Sequence, residues 1–272
     1  MNKILTLFVL AVTLFSCSSS DDNNVNTNSI LQKVVFYRDS PNERHWNISN
    51  NLLTNITLED GTLAEEFIYD SQNRLIRDVK YTNGVVTETV IISYNSDNTI
   101  SSINNLPYTY NASTRTYAYS YGSDFTINCS VNQDMLAVDF IRTGTNDGEY
   151  HMTYSNGNMA SFEKINSGST EIIKNFHFDN LLANPLYNAI LAVARVKSLT
   201  DPNFFIDSVA STNIAGGHDK GPSDPNYYSY GYTSSITNNP THNSKDFSIG
   251  IEVLDSGNNF VNYYSFADYY YQ

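Results

Sequence analysis

Residues 65–81 read EEFIYDSQNRLIRDVKY, and this stretch decides the fold. Phe67 and Tyr69 alternate with Glu66 and Ile68, the period of a strand. Asp70-Ser71-Gln72-Asn73 supplies a turn, because Asp and Asn side chains bond the backbone two residues on and Asn tolerates a left-handed backbone. Leu75, Arg77, Val79 and Tyr81 then share one face, with Ile76, Asp78 and Lys80 on the other. Thr82-Asn83-Gly84 follows, and Asn-Gly between two strand-like runs is a hairpin signal that leads into a third strand, Val85 to Tyr94. Three strands and two tight turns in succession make a β-meander.

The pattern of aromatic, Asn or Asp, small residue, any residue, Asn, any residue, aliphatic returns in the run Tyr94-Asn95-Ser96-Asp97-Asn98-Thr99-Ile100. A degenerate third copy lies at Tyr154-Ser155-Asn156-Gly157-Asn158-Met159. A fourth is read at Phe176 to Leu181 and a partial one at Tyr110 to Ser113. Tyr69 to Tyr94, and Tyr154 to Phe178, are both separated by roughly 25 residues, a spacing that predicts a repeat architecture in which each unit buries its face against its neighbours.

The segment FIYDSQNRLIRDVKY resembles the YD or RHS-type repeat of bacterial surface proteins. Over about residues 50–185 the chain resembles Bacteroidota-type surface lipoproteins that carry degenerate copies of it. The resemblance implies surface exposure and an antiparallel repeat sheet, and it implies no catalytic residue. The copies are too few for a long RHS shell.

The amino terminus carries a targeting segment over residues 1–16, with Lys3 as its positive end and Ile4 to Phe15 as its apolar core. That core is shorter than the roughly 20 residues a spanning helix needs. Leu14-Phe15-Ser16-Cys17 resembles a bacterial lipobox, which implies that Cys17 is lipidated and becomes the first mature residue. Ser18-Ser19-Ser20-Asp21-Asp22 resembles the acidic tether of lipoproteins on the outer face of the outer membrane. After Cys17, residues 18–29 are polar apart from Val25 and read as a flexible linker.

Residues 30–272 are expected to form a single β-rich domain, mainly β, an antiparallel meander or repeat sheet that is curved or partly closed. Further strands are predicted at Ile30–Arg38, Leu52–Leu58, Arg115–Tyr121, Phe125–Val131, Met135–Arg142, Glu149–Tyr154, Met159–Ile165 and Thr170–Phe178. One helix is predicted over 185–197: Asn184 is an N-cap, Pro185 sits at the first helical position, and Leu186, Ala189, Ile190, Val193 and Val196 keep helical spacing. It is expected to pack on an end or a face of the sheet. AGGHDKGPSDPN, residues 215–226, reads as a long loop, and the strongly aromatic NYYSFADYYYQ near the end as a closing or central strand.

The composition bounds the function. The 272 residues are 40% hydrophobic and include 21 tyrosines, residues whose apolar body and polar tip suit half-buried sheet positions. A formal charge of −13 with no Lys/Arg cluster excludes nucleic acid as a partner. With Cys17 lipidated, Cys129 has no disulfide partner and reads as a small buried hydrophobe beside Phe125, Ile127 and Val131. His45, His151, His177, His218 and His242 fall at no metal-ligand spacing, and His218-Asp219 on the Gly-rich loop is the one pair with chemical interest. Glu65 and Glu66 lie on opposite faces of a strand, so they make no acid–base pair.

No cofactor, metal or catalytic residue is expected. The reading is of a lipid-anchored surface protein acting as a non-catalytic binding or scaffold module, with a glycan or a protein as candidate partner besides the membrane. Trp46, Tyr69, Tyr94 and Tyr154 are the aromatic residues proposed to contact a ligand, since ring faces stack on sugars. The alternatives are a glycan-binding protein that uses surface tyrosines and a carboxylate-dependent hydrolase.

Overall fold

The computed structural model describes residues 30–37, 39–144, 148–166, 169–184, 186–200, 213–219, 230–238, 245–254 and 260–271. The targeting segment, Cys17 and the tether lie outside the described residues, as do residues 220–226 of the Gly-rich stretch. The described part is an antiparallel β structure with one helix among the described residues.

The strands of the first half are β1 (Leu31–Phe36), β2 (Arg44–Ser49), β3 (Leu52–Thr57), β4 (Leu63–Tyr69), β5 (Leu75–Thr82), β6 (Val85–Tyr94), β7 (Ile100–Ile103) and β8 (Leu106–Pro107). Then come β9 (Thr109–Asn111), β10 (Thr116–Tyr121), β11 (Phe125–Val131), β12 (Ala137–Gly144), β13 (Gly148–Ser155), β14 (Asn158–Asn166) and β15 (Ser169–Ala183). The helix α1 (Tyr187–Thr200) leads to β16 (Asn213–Asp219), β17 (Tyr230–Asn238), β18 (Lys245–Leu254) and β19 (Phe260–Tyr271).

Two sheets result. One has 11 strands, running from β17 through β19 to β1 and on to β8; the other has 8, running from β16 back to β9. Strands adjacent in each sheet are also adjacent in sequence, except where β19 pairs with β1 and joins the two ends of the chain. The order is therefore circular, with ladder breaks at β8/β9 and β16/β17. The first break has a visible cause. Pro107 ends β8 and has no N–H to give, and Tyr108 instead donates its own N–H to the Ser101 carbonyl at 2.9 Å. The final aromatic strand both closes the circle and lies centrally, between β18 and β1.

The turns explain this regularity. Asn83-Gly84 has φ of 51° and 74° and joins Thr82 to Val85 as a two-residue hairpin, as the sequence predicts. Asn50-Asn51 and Asn104-Asn105 do the same, with all four φ values positive. Asn156-Gly157 is also of this kind, pairing Ser155 with Asn158. That corrects the reading of residues 154–159 as a third copy of the 70–75 turn. The supposed fourth copy, Phe176 to Leu181, is no turn either, because β15 runs straight through it. In the stretch read as a loop from residue 215, positions 215–219 belong to β16 and pair with β15.

Asn184 caps the helix as expected, its Oδ1 accepting the Leu186 N–H at 3.0 Å. The helix packs on sheet faces, as expected, and on a face of each sheet. It touches β3 and β5 of one sheet and β12 of the other, and Ala189, Ile190, Val193, Ala194, Val196 and Leu199 are all buried. The two sheets thus face one another across the helix, and Leu53, Phe67, Leu75, Tyr117, Cys129, Phe140 and Phe162 share its core. Cys129 is fully buried and free, and burial pushes its thiol far above the ordinary range.

A charge enters this core. Lys197 places Nζ 2.5 Å from Glu65 Oε1 and 3.0 Å from Asp78 Oδ2, and Asp78 is 5% exposed. Burial holds the Glu65 carboxyl above its ordinary range against the pull of Lys197. Glu66 instead accepts a hydrogen bond from the Tyr81 hydroxyl at 3.2 Å.

Candidate functional site

Four turns among the described residues share one geometry: Leu58–Thr62, with Gly61 left-handed at φ 82°, and three that meet at one place. In each, the first residue donates its N–H to the carbonyl four residues on, and the fourth donates back to the first. In the three that meet, the pairs are Asp70 with Arg74 and Asn73, Asn95 with Thr99 and Asn98, and Asn132 with Leu136 and Met135, at 2.8–3.2 Å. The fourth residue is left-handed each time, with φ of 60° at Asn73, 68° at Asn98 and 63° at Met135. Side chains reinforce the loops. Asp70 Oδ1 accepts from the Gln72 and Arg74 amides, and Asn132 Oδ1 from those of Asp134 and Leu136.

These three turns surround the second half of α1, and together they bound a cavity of about 500 Å³. Gln72, Asn73, Asp97 and Asn98 form its polar rim, Tyr94, Tyr110 and Tyr117 its aromatic wall, and Arg74 and Arg195 its cations. Ile100, Met135, Ala192 and Leu199 complete an apolar floor. The volume and the mixture of rings with a few polar groups fall in the range of small-molecule sites.

Each polar group has a defined state. Arg74 is committed: it donates Nε to Asp70 Oδ2 at 2.7 Å and Nη1 to Asn98 Oδ1 at 2.8 Å, and lies 4.6 Å from the centre of the Tyr94 ring. Burial opposes ionisation of Asp70, but the hydrogen bonds from Arg74 and Gln72 outweigh it and hold the carboxyl below its ordinary range. Asp97 is also held low, by the Thr99 hydroxyl at 2.6 Å and the Thr99 amide at 3.0 Å. Arg195 donates Nε to the Asp134 carbonyl at 2.7 Å, and among the described residues its terminal nitrogens meet no acceptor. The Asp134 carboxylate accepts from the Tyr187 hydroxyl at 3.0 Å.

Tyr117 is 1% exposed, and burial pushes its phenol up to about 12. Its oxygen accepts the Ile100 N–H at 3.1 Å, which leaves its own proton available. The Tyr110 ring packs against it at 4.7 Å, and the Tyr110 hydroxyl has the weak Met135 thioether as acceptor at 3.9 Å.

The four aromatic residues singled out in the sequence are not brought together. Tyr94 lines the cavity, and its hydroxyl donates to the Leu75 carbonyl at 2.8 Å. Tyr69 makes the matching bond to the Leu53 carbonyl at 2.6 Å, so both phenols tie a strand to its neighbour rather than face outward. Trp46 packs on Phe36 at 4.9 Å, and the Tyr154 hydroxyl is buried without a partner among the described residues. Sequence reasoning missed Arg74, Tyr110, Tyr117 and Arg195. The visible signal for Arg195 was its place as one of two basic residues, with Lys197, in a largely apolar helix; the signal for the third turn was Asn132, in the gap between the strands read at Phe125–Val131 and Met135–Arg142.

Away from the cavity, His151 Nδ1 lies 2.7 Å from Asp139 and its Nε2 3.3 Å from Glu149. His45 Nε2 lies 2.5 Å from Glu43. No group of three ligand-type side chains suited to a metal occurs among the described residues. His218 and Asp219 end β16. No helix among the described residues is long and apolar enough to cross a membrane, which leaves open any crossing by strands.

No protein-family model and no curated protein matches the chain. Among solved structures it is similar to a porin-like protein from Bacteroides uniformis, at 10% identity and a TM-score of 0.43, covering 89% of this chain and 98% of that one. It is also similar to a porin-like protein from Bacteroides vulgatus, at 8% identity and a TM-score of 0.31, covering 72% of this chain and 98% of that one. Both TM-scores are too low for either likeness to bear on how this chain works.

Proposed function

We propose that the protein is a non-catalytic binding module of the cell envelope, held to the outer membrane by a lipid on Cys17, that takes a small ligand into the cavity between its three like turns and α1. The cavity carries this reading. Its wall of three tyrosines, its rim of amides and its uncommitted Arg195 are groups that recognise a molecule by stacking and hydrogen bonds. Nothing in the reading assigns a bond to be broken there. The anchor rests on the lipobox at 14–17 and the polar tether after it.

Two experiments test it. Mature protein lacking Cys17 is titrated calorimetrically with a panel of sugars, sugar acids, aromatic acids and amino acids. Binding that is weakened by Tyr94→Ala supports the cavity as the site, and the absence of any binding across the panel overturns it. Separately, the full chain should incorporate labelled palmitate and fractionate with membranes, and Cys17→Ala should do neither. Membrane association that survives this substitution overturns the anchor.

A further inference from the structure

Among the described residues, three donors that line the cavity meet no strong acceptor. The terminal N–H groups of Arg195 meet no acceptor among the described residues, where Nε alone is engaged, by the Asp134 carbonyl. Tyr117 keeps its hydroxyl proton, because the Ile100 amide occupies the oxygen as donor. Tyr110 donates only to a thioether. Arg195 and Tyr94 line the same cavity.

Each carboxylate nearby has a hydrogen-bonding partner, although Asp97 keeps its charge at the rim. Asp70 holds Arg74, Asp97 accepts twice from Thr99 at the exposed rim, and Asp134 accepts from Tyr187. The bidentate fork of an arginine, with a phenol donor lining the same cavity, calls for a planar group that only accepts. The net charge of −13 does not forbid an anion here, since exposed charges beyond about 8 Å are screened at physiological salt. The body of the ligand is set by the rest of the lining. Tyr94 and Tyr110 offer ring faces, while Gln72, Asn73 and Asn98 offer amides that both donate and accept, a match for hydroxyls around a saturated ring.

We infer that the cavity recognises a sugar acid, with its carboxylate on Arg195 and Tyr117, its ring against Tyr94 and Tyr110, and its hydroxyls at the amide rim. This rests on the binding reading above and names the ligand class of that site.

The test is calorimetric titration of the mature protein with glucuronate, galacturonate, glucose and benzoate. One of the uronates should bind, and glucose should bind at least tenfold more weakly. Arg195→Gln, which keeps a donor for the Asp134 carbonyl, should lower uronate affinity about 10- to 100-fold, the loss expected for a hydrogen-bonded charge. Tyr117→Phe should lower it less, and a thermal melt establishes that each variant is folded. Equal binding of glucose and uronate, or uronate binding unchanged in folded Arg195→Gln, overturns the carboxylate assignment while leaving a binding module. Benzoate binding without uronate binding overturns the sugar assignment. If neither acid binds but another member of the wider panel does, this inference fails and the binding reading survives; if nothing binds, both fail.

Discussion

Lys197 on α1 holds its ammonium 3.0 Å from the carboxylate of Asp78 on β5, inside the space between the two sheets. Glu65 on β4 shares the same cation, and Asp78 Oδ1 has no other partner among the described residues. The helix is thus fixed in rotation and depth by one cation and two carboxylates, with apolar packing around them.

Removing that cation should be costly. Lys197→Met leaves two carboxylates in a desolvated place, and a broken buried ion pair costs about 3–5 kcal/mol. Urea denaturation should show a loss of that order. The triple variant Lys197→Met, Glu65→Gln, Asp78→Asn should recover most of it, because no charge is then stranded. A triple variant as unstable as the single one would contradict this account.

His151 gives the protein a pH-dependent contribution. Its hydrogen bond to Asp139, aided by Glu149, raises the imidazole above its ordinary 6.5. A group whose folded value is raised adds stability that is complete below the unfolded value and is lost as pH rises through the folded one. Thermal stability should therefore fall as pH rises from 6.5 through the folded value, and His151→Gln should flatten that part of the profile. An NMR titration of His151 reads the shift directly, and a midpoint at or below 6.5 would refute it.

Tyr69 and Tyr94 should behave as a matched pair. Each donates its phenol proton to a carbonyl of the preceding strand, Leu53 and Leu75. Tyr69→Phe and Tyr94→Phe should each cost about 0.5–1.5 kcal/mol, the net worth of one hydrogen bond. Chemical denaturation measures this, and no loss in either variant would mean that the phenols are better satisfied by water.

Asn73 and Asn98 stand in left-handed backbone at equivalent turn positions. Asn73→Ala and Asn98→Ala should each destabilise by about 1–2 kcal/mol, the cost of that conformation for a residue with an ordinary Cβ. Asn73→Gly should cost far less. Loss of the Asn98 bond to Arg74 should also loosen the cavity rim and lower ligand affinity in Asn98→Ala.

Local chemistry was legible in the sequence. Alternation of apolar and polar residues marked the strands, Asn-Gly and Asp-x-x-Asn marked the turns, and Asn184 before an apolar helical stripe marked α1. These signals act over a few residues, so they survive without knowledge of the fold. They also carry a limit. Tyr154-Ser155-Asn156-Gly157 looks like Tyr69-Asp70-Ser71-Gln72 to the eye, yet its Asn-Gly closes a two-residue hairpin.

The tertiary structure decided what lies inside. Alternation assigned Asp78 and Leu75 to opposite faces, but the register shift at Ile68/Tyr69 in the β4/β5 pairing and the approach of Lys197 from α1 determine which side of β5 is core and where a carboxylate can be buried. The cavity likewise unites Arg74, Tyr94, Tyr117 and Arg195, which are far apart along the chain. Sequence sets hydrogen bonds between near neighbours; the circular strand order and the enclosed helix set the contacts between distant ones, and the site is made of those.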